Sequence, residues 1–193
     1  MKEIIGEKIR LEFALKKDMR KIYDMMVSDE VGQFMFNEDY PAPRWDQFFE
    51  GSRAYFPEEL SKDGSYMLIY LENKVAGAIS YTCGFEKTPY AEFTVWLAGY
   101  EFMGKKIGCE AINLLMDCLN EQFNINHFII RPWTGNLSAI QSYNRCGFHE
   151  SAGFDIGKYY SDSTLLKNAN GPYGPRGTVN LHCDYSMKFV DMK

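Results

Sequence analysis

Long hydrophobic runs are missing from this sequence, cysteines and histidines are few, and basic residues are fewer than acidic ones. No apolar stretch approaches the ~20 residues that a membrane helix needs, and acidic residues near the start argue against a secretory signal. We therefore expect no membrane span and no export. The 193 residues include 21 Lys and Arg against 26 Asp and Glu, and the formal net charge of −5 argues against nucleic-acid binding through basic clusters.

Cysteine and histidine are too scattered to indicate a disulfide framework or a metal site. The five cysteines are an odd number without a Cys-x-x-Cys pair, which predicts reduced thiols in a cytoplasmic protein. The three histidines, His127, His149 and His182, stand far apart in the sequence, so we expect structural or solvated roles for them and no metal. Four cysteines lie in apolar surroundings and are predicted to be small core residues: Cys83, Cys109, Cys118 and Cys146.

What the chain does contain is the composition of a folded protein, with 46% hydrophobic and 24% charged residues. These values exclude global disorder, and the length fits one domain over residues 1–193. Apolar and polar residues alternate over 8–14, which predicts a half-buried strand, and residues 66–83 are typical of a β-hairpin. A further strand is predicted over 91–97 and apolar residues at helical spacing follow Ile107, so the order of elements indicates a mixed α/β fold.

Two parts of the chain are harder to assign. Residues 33–56 are dense in aromatic side chains and fit either helical or irregular structure. Residues 165–177 are rich in Asn, Gly and Pro, which predicts a long loop. The tail over 178–189 has the alternation of a last strand.

The junction between the strand at 91–97 and the next helix is the first segment with chemical meaning. Gly104 and Gly108 lie in the loop that joins them. Backbone N–H groups and the positive end of a helix dipole converge at such a junction and suit a phosphate, although a tight turn explains the glycines equally well. No Lys-Ser or Lys-Thr follows Gly108, and the three-glycine dinucleotide pattern is absent, so neither of those nucleotide motifs applies.

A second segment, residues 136–148, makes the first more specific. Asn136, Ala139, Tyr143, Gly147 and Phe148 stand at fixed intervals in it. Together the two segments resemble the acetyl-CoA-binding core of the GNAT family of N-acetyltransferases, and within it the branch that includes the ribosomal-protein N-terminal acetyltransferases. The resemblance covers roughly residues 90–150. It implies a central, mostly antiparallel sheet with a splayed parallel strand pair, flanked by helices.

The resemblance also implies a reaction, in which an acetyl group passes from acetyl-CoA to a primary amine, either a small amine or a protein N-terminus. Two positions depart from the family pattern. Met103 stands where an Arg or Gln is usual, and Lys106 stands where a glycine is usual. Residues implied to bind the coenzyme are Trp96, Leu97, Met103, Gly104, Lys105, Lys106, Ile107, Gly108, Cys109, Asn136, Ala139 and Tyr143.

Acyl transfer from a thioester to an amine needs a neutral amine and a proton for the departing thiolate. Tyr143 matches the family tyrosine that protonates the coenzyme sulfur; a core aromatic is the alternative. Glu92 is the best candidate for the base, because it lies on the strand before the loop and strand alternation places it on one face with Thr94 and Trp96. Deprotonation through water is the alternative.

The acceptor is expected to contact the aromatic segment, which we define as residues 34–56. Aromatic faces interleaved with carboxylates suit an organic cation, so we expect a cationic amine; core packing with a solvated acidic face is the alternative. Two other functions stay open, a coenzyme A sensor without turnover and a protein-interaction module built on this segment. A homodimer is also left open. The predicted substrate-binding residues are Phe34, Phe36, Glu38, Asp39 and Tyr40.

Overall fold

The computed structural model describes residues 3–38, 41–150, 155–159 and 179–187. A seven-stranded sheet forms its centre, with the strands arranged side by side in chain order. The strands are β1 (Glu3–Ile5), β2 (Ile9–Phe13), β3 (Gly64–Leu71), β4 (Lys74–Gly84), β5 (Tyr90–Leu97), β6 (His127–Ile130) and β7 (Leu181–Asp184).

The sheet is antiparallel except between β5 and β6. These two strands run parallel from the pair Tyr90–His127 to the pair Phe93–Ile130. Beyond that point β6 ends, whereas β5 continues to Leu97. The two strands therefore part, and the sheet opens at this edge. The predicted architecture, a mostly antiparallel sheet with one splayed parallel pair, is confirmed.

Helices cover both faces of the sheet. The helix α4 (Ile107–Phe123) packs on one face, where Leu115 and Leu119 join a core that includes Leu11 and Phe93. The first three helices cover the opposite face, where a second core includes Trp96. The helices are α1 (Met19–Met26), α2 (Asp29–Met35), α3 (Trp45–Ser52), α4 (Ile107–Phe123) and α5 (Leu137–Arg145).

The structure adds two elements that the sequence patterns did not identify, β1 and α2, and it shows that α3 is the helical part of the segment left open as helical or irregular. β1 has only three residues, too few for a visible alternation of apolar and polar side chains. The helices α2 and α3 are short, with seven and eight residues; α3 lies inside the aromatic segment, and α2 ends at its second residue. Of the predicted tail strand, Leu181–Asp184 is observed. The predicted loop over 165–177 lies outside the described residues.

Two of the predicted separate thiols are in fact paired. The structure joins Cys109 and Cys146 in a disulfide, with their Cα atoms 5.6 Å apart, within the range that disulfides span. The expectation of reduced thiols is therefore wrong for this pair, because packing of α4 against α5 brings together residues 37 positions apart. Cys83 and Cys118 keep their thiols outside any disulfide.

The histidines are not isolated in space. Antiparallel pairing of β6 and β7 stacks the imidazoles of His127 and His182, with His127 Nδ1 3.2 Å from His182 Nε2. The hydroxyl of Tyr159 lies 3.4 Å from the same Nε2. Burial, reinforced by the charge of His127 and opposed by Asp184, lowers the pKa of His182 to about 4.

This depressed pKa predicts acid sensitivity of the fold. The His182 imidazole stays neutral in the folded protein down to about pH 4, whereas in the unfolded chain it takes up a proton near pH 6.5. The unfolded state therefore binds more protons in this window, and the free energy of unfolding falls as pH drops from about 6.5 to about 4. Urea denaturation midpoints measured across this range check the trend.

A His182→Gln variant removes the titrating group and flattens this part of the pH profile. His149→Gln is the matched control, because His149 contacts the same strand through its backbone but has an exposed side chain. Equal slopes for His182→Gln and the unmodified protein contradict the assignment.

Candidate active site

A cavity of about 1090 Å³ opens where β5 and β6 part. Its walls come from both faces of the sheet: the loop and first turn of α4, the chain from Arg131 through α5, and the helices α1, α2 and α3. The splayed strands thus create a space that the two helical layers share.

The loop before α4 turns sharply toward this cavity. Gly104 has a φ of +73° and Lys106 a φ of +64°, both in the left-handed region. A residue with a side chain adopts this conformation at a cost of roughly 1–2 kcal/mol. Lys106 therefore adopts a conformation in which a glycine would be less strained. It stands at the N-cap position of α4, where its side chain makes no capping hydrogen bond.

The first turn of α4 is tied to the sheet by Glu110. Its Oε1 atom accepts hydrogen bonds from the backbone nitrogens of Lys8 at 2.8 Å and Ile9 at 3.3 Å. Gly6 gives the room for this contact, since a Cβ atom there would lie 2.5 Å from the same oxygen. The start of α4, and with it the loop, is fixed relative to the β1–β2 hairpin.

The predicted coenzyme-binding residues gather at this cavity, with one exception. Lys105 lies instead in an adjoining cleft of about 560 Å³, beside Lys8 and Lys106. The cavity is lined by Trp96, Leu97, Met103, Gly104, Lys106, Ile107, Gly108, Cys109, Asn136, Ala139 and Tyr143. Coenzyme binding by these residues stays a prediction, but the tertiary structure brings them to one place.

The helix α5 is positioned by its two ends. Asn136 Oδ1 accepts a hydrogen bond from the Ala139 nitrogen at 3.2 Å, which caps the first turn. Gly147, with a φ of +93°, ends the helix in the left-handed conformation. Between them Tyr143 is half-buried on the cavity wall. Burial raises the pKa of Tyr143 above its ordinary value, so its hydroxyl keeps the proton at neutral pH.

Glu92 also lines the cavity, and it has a partner that the sequence analysis missed. Arg131 Nε donates a hydrogen bond to Glu92 Oε1 at 2.6 Å, and Arg131 Nη2 lies 2.5 Å from the same oxygen. The two side chains are only 11% and 16% exposed. The ion pair bridges β5 to the end of β6, where the strands part. The charge of Arg131 directly before a strand-ending proline was the available signal.

The acceptor side of the cavity is only partly as predicted. Phe34 and Phe36 line it, whereas Glu38 is exposed and lies outside the lining. Asp39 and Tyr40 lie outside the described residues. The solvated-face alternative holds for the carboxylates of Asp46 and Glu50, which form exposed ion pairs with neighbouring arginines at 2.8 and 3.5 Å.

A polar contact connects the two sides of the cavity. Glu30 Oε2 accepts a hydrogen bond from the Tyr100 nitrogen at 3.2 Å, and Gln33 Nε2 donates to the Tyr100 hydroxyl at 2.8 Å. Glu30 and Gln33 both lie on α2, and this helix also carries part of the wall on the acceptor side. The position of this wall is thereby coupled to the loop that leads into α4.

Within residues 3–38, 41–150, 155–159 and 179–187, no group of three or more His, Cys, Asp or Glu side chains is arranged to hold a metal ion. None of the described helices combines the length and apolarity needed to cross a bilayer.

Three solved structures share this fold over nearly the whole chain. The aminoglycoside acetyltransferase AAC(6')-Ib with paromomycin and acetyl-CoA aligns with a TM-score of 0.69 at 16% identity, covering 97% of this chain and 98% of that one. Spermidine N-acetyltransferase from Vibrio cholerae with coenzyme A and spermine gives 0.69 at 17%, covering 95% and 99%. The ribosomal protein α-N-acetyltransferase RimL with coenzyme A gives 0.68 at 15%, covering 94% and 97%.

Sequence comparison carries the family assignment. No curated protein matches the chain by sequence search. The domain family described as acetyltransferase (GNAT) domain, in contrast, matches residues 8–149, well over half of the chain. That range includes the splayed strands, the glycine loop and α5. The chain therefore belongs to the GNAT acetyltransferase family.

Proposed function

We propose that this protein transfers the acetyl group of acetyl-CoA to a primary amine. The observation that carries the proposal is that one cavity is lined both by residues of the loop at 103–109, Lys105 excepted, and by Tyr143. The loop offers backbone N–H groups at a helix start for a pyrophosphate. Tyr143 offers a proton donor on the wall of the same cavity, which the parted strands also line.

The chemistry requires a protonated amine to become neutral before it attacks. A primary amine is cationic in neutral solution, so the acceptor loses one proton to water or to Glu92. Proton uptake by Glu92 would break its ion pair with Arg131, which favours the route through water. The amine nitrogen then bonds to the acetyl carbon, the carbon–sulfur bond breaks, and the nitrogen releases its second proton to become an amide. Tyr143 supplies the proton that converts the departing thiolate into a thiol, and the proton released by the nitrogen passes through water to restore the tyrosine hydroxyl.

The alternative function, a coenzyme sensor without turnover, arises because Met103 and Lys106 differ from the residues usual in the family's loop. The conformation of Lys106 in the structure helps to judge that alternative. Lys106 adopts a left-handed backbone, the conformation that glycine adopts most readily, and the backbone amide groups of such a loop do most of the phosphate binding. Coenzyme binding is common to the sensor and the catalyst, and Tyr143 on the wall of the same cavity favours the catalyst.

Two measurements test the proposal. Acetyl-CoA is expected to raise the thermal unfolding temperature, since a ligand that binds only the folded state stabilises it. Free thiol is expected to accumulate when acetyl-CoA is incubated with amines, and mass spectrometry should find the acetylated amine. Stabilisation by acetyl-CoA with no thiol release for any amine, including peptides with free N-termini, contradicts the enzyme and leaves the sensor.

A further inference from the structure

We infer that the acceptor is a small primary monoamine with an aromatic or apolar body, rather than a polycation. This inference rests on the proposed function and adds the chemical class of the substrate. It comes from two features of the acceptor side of the cavity. Aromatic rings form its wall, and its carboxylates already accept hydrogen bonds from other groups of the protein.

The wall is built from aromatic rings that pack on one another. Tyr66 stacks on Phe56 with ring centroids 4.8 Å apart and meets Trp96 edge-on at 6.3 Å. Phe48 meets Tyr66 edge-on at 6.1 Å. Phe48, Tyr66 and Trp96 line the cavity together with Phe34. Phe48 and Trp96 are almost fully buried, so the half-buried Tyr66 and Phe34 present most of the apolar surface of this wall. A ring surface supported by such packing recognises an apolar or aromatic group with little loss of side-chain freedom.

The charges in the lining do not favour a polycation. Among the described residues that line the cavity, the carboxylates are Glu30 and Glu92 and the cations are Lys106, Arg131 and Arg145. Glu30 accepts from the Tyr100 nitrogen and Glu92 is paired with Arg131. A ligand with several ammonium groups needs several carboxylates to replace its hydration, and the described lining supplies only these two, both already engaged. A ligand with a single ammonium group needs fewer such partners.

The decisive experiment compares kcat/KM for different acceptor amines, with the rate measured as release of free thiol from acetyl-CoA. The panel contains phenethylamine and tryptamine as aromatic monoamines, and spermidine and kanamycin as polycations. We expect kcat/KM for the aromatic monoamines to exceed that for the polycations at least tenfold. We also expect the KM for phenethylamine to change less than about twofold between 50 and 300 mM NaCl, since screening acts on charge and not on ring contacts.

A variant pair ties this preference to the wall. Phe34→Ala is expected to raise the KM for phenethylamine at least tenfold and to leave the KM for acetyl-CoA unchanged. Phe49→Ala is the matched control, because Phe49 is an exposed ring on α3 outside the cavity lining. Phe34→Leu separates ring loss from unfolding, since it retains apolar volume; its KM should lie between those of Phe34→Ala and the unmodified protein.

The outcomes separate this inference from the proposed function. If a polycation is the best acceptor, or if Phe34→Ala leaves the KM for the aromatic amine unchanged, the substrate class is wrong while acetyl transfer stands. If only peptides with free N-termini are acetylated, the inference fails and the proposed function stands. If acetyl-CoA binds and no amine or peptide is acetylated, both the proposed function and the inference fail.

Discussion

Replacing Tyr143 with phenylalanine is expected to lower kcat about 100-fold or more, the usual contribution of a positioned proton donor. The variant removes one hydroxyl and keeps the ring that packs beside the main core. Binding of acetyl-CoA should therefore stay nearly constant, and the loss should appear in kcat. Steady-state kinetics with saturating coenzyme, together with calorimetric titration of coenzyme A, separates the two effects.

The control for this variant is Tyr185→Phe. That substitution also removes one tyrosine hydroxyl, which donates to Asp117 Oδ1 at 2.8 Å, at a place outside the cavity lining. Its kcat should equal that of the unmodified protein. A Tyr143→Phe protein with undiminished kcat shows that Tyr143 is a packing residue, and the proton for the thiolate then comes from elsewhere.

Replacing Gly108 with leucine is expected to raise the KM for acetyl-CoA at least tenfold, equivalent to about 1.4 kcal/mol of lost binding. A Cβ atom at Gly108 meets no other atom within 4 Å, so the fold has room for the side chain. The added atoms project where Gly108 lines the cavity, at the start of α4. They occupy the space that the pyrophosphate needs.

Gly51→Leu is matched to Gly108→Leu. Gly51 lies in α3, its Cβ would also meet nothing within 4 Å, and it is outside the cavity lining. Both variants replace a helical glycine by a good helix former, so neither should lower the thermal unfolding temperature. If both proteins bind coenzyme A as tightly as the unmodified chain, the pyrophosphate site lies elsewhere than residues 103–109.

Local features of the fold were predictable because each depends on residues close in sequence. The cap of α5 needs only Asn136 and Ala139, and its end needs a residue that accepts a positive φ, supplied by Gly147. Strand alternation over 8–14 identified β2, because a strand with one buried face shows its period directly. The order of the glycine loop and α5 was sufficient for the resemblance to the family.

The aromatic segment shows where such reasoning fails. Its rings gave no helical period, because aromatic residues in α3 face both the core and the solvent: Phe48 is 5% exposed and Phe49 40% exposed. The interleaved carboxylates suggested a cation site, yet Asp46 and Glu50 pair with neighbouring arginines at the surface. Only the packed structure distinguishes rings that line the cavity from rings that do not.

Local periodicity and capping encode the mixed α/β fold, the glycine loop before α4 and the helix that carries Tyr143, so these could be derived from the chain without coordinates. Contacts between residues far apart in sequence form only in the folded molecule. They are the contacts of Arg131 with Glu92, 39 residues away, of His127 with His182, 55 residues away, and of Cys109 with Cys146, 37 residues away. Such contacts follow from strand register and helix packing, which depend on the whole core and have no signal within a short window of sequence.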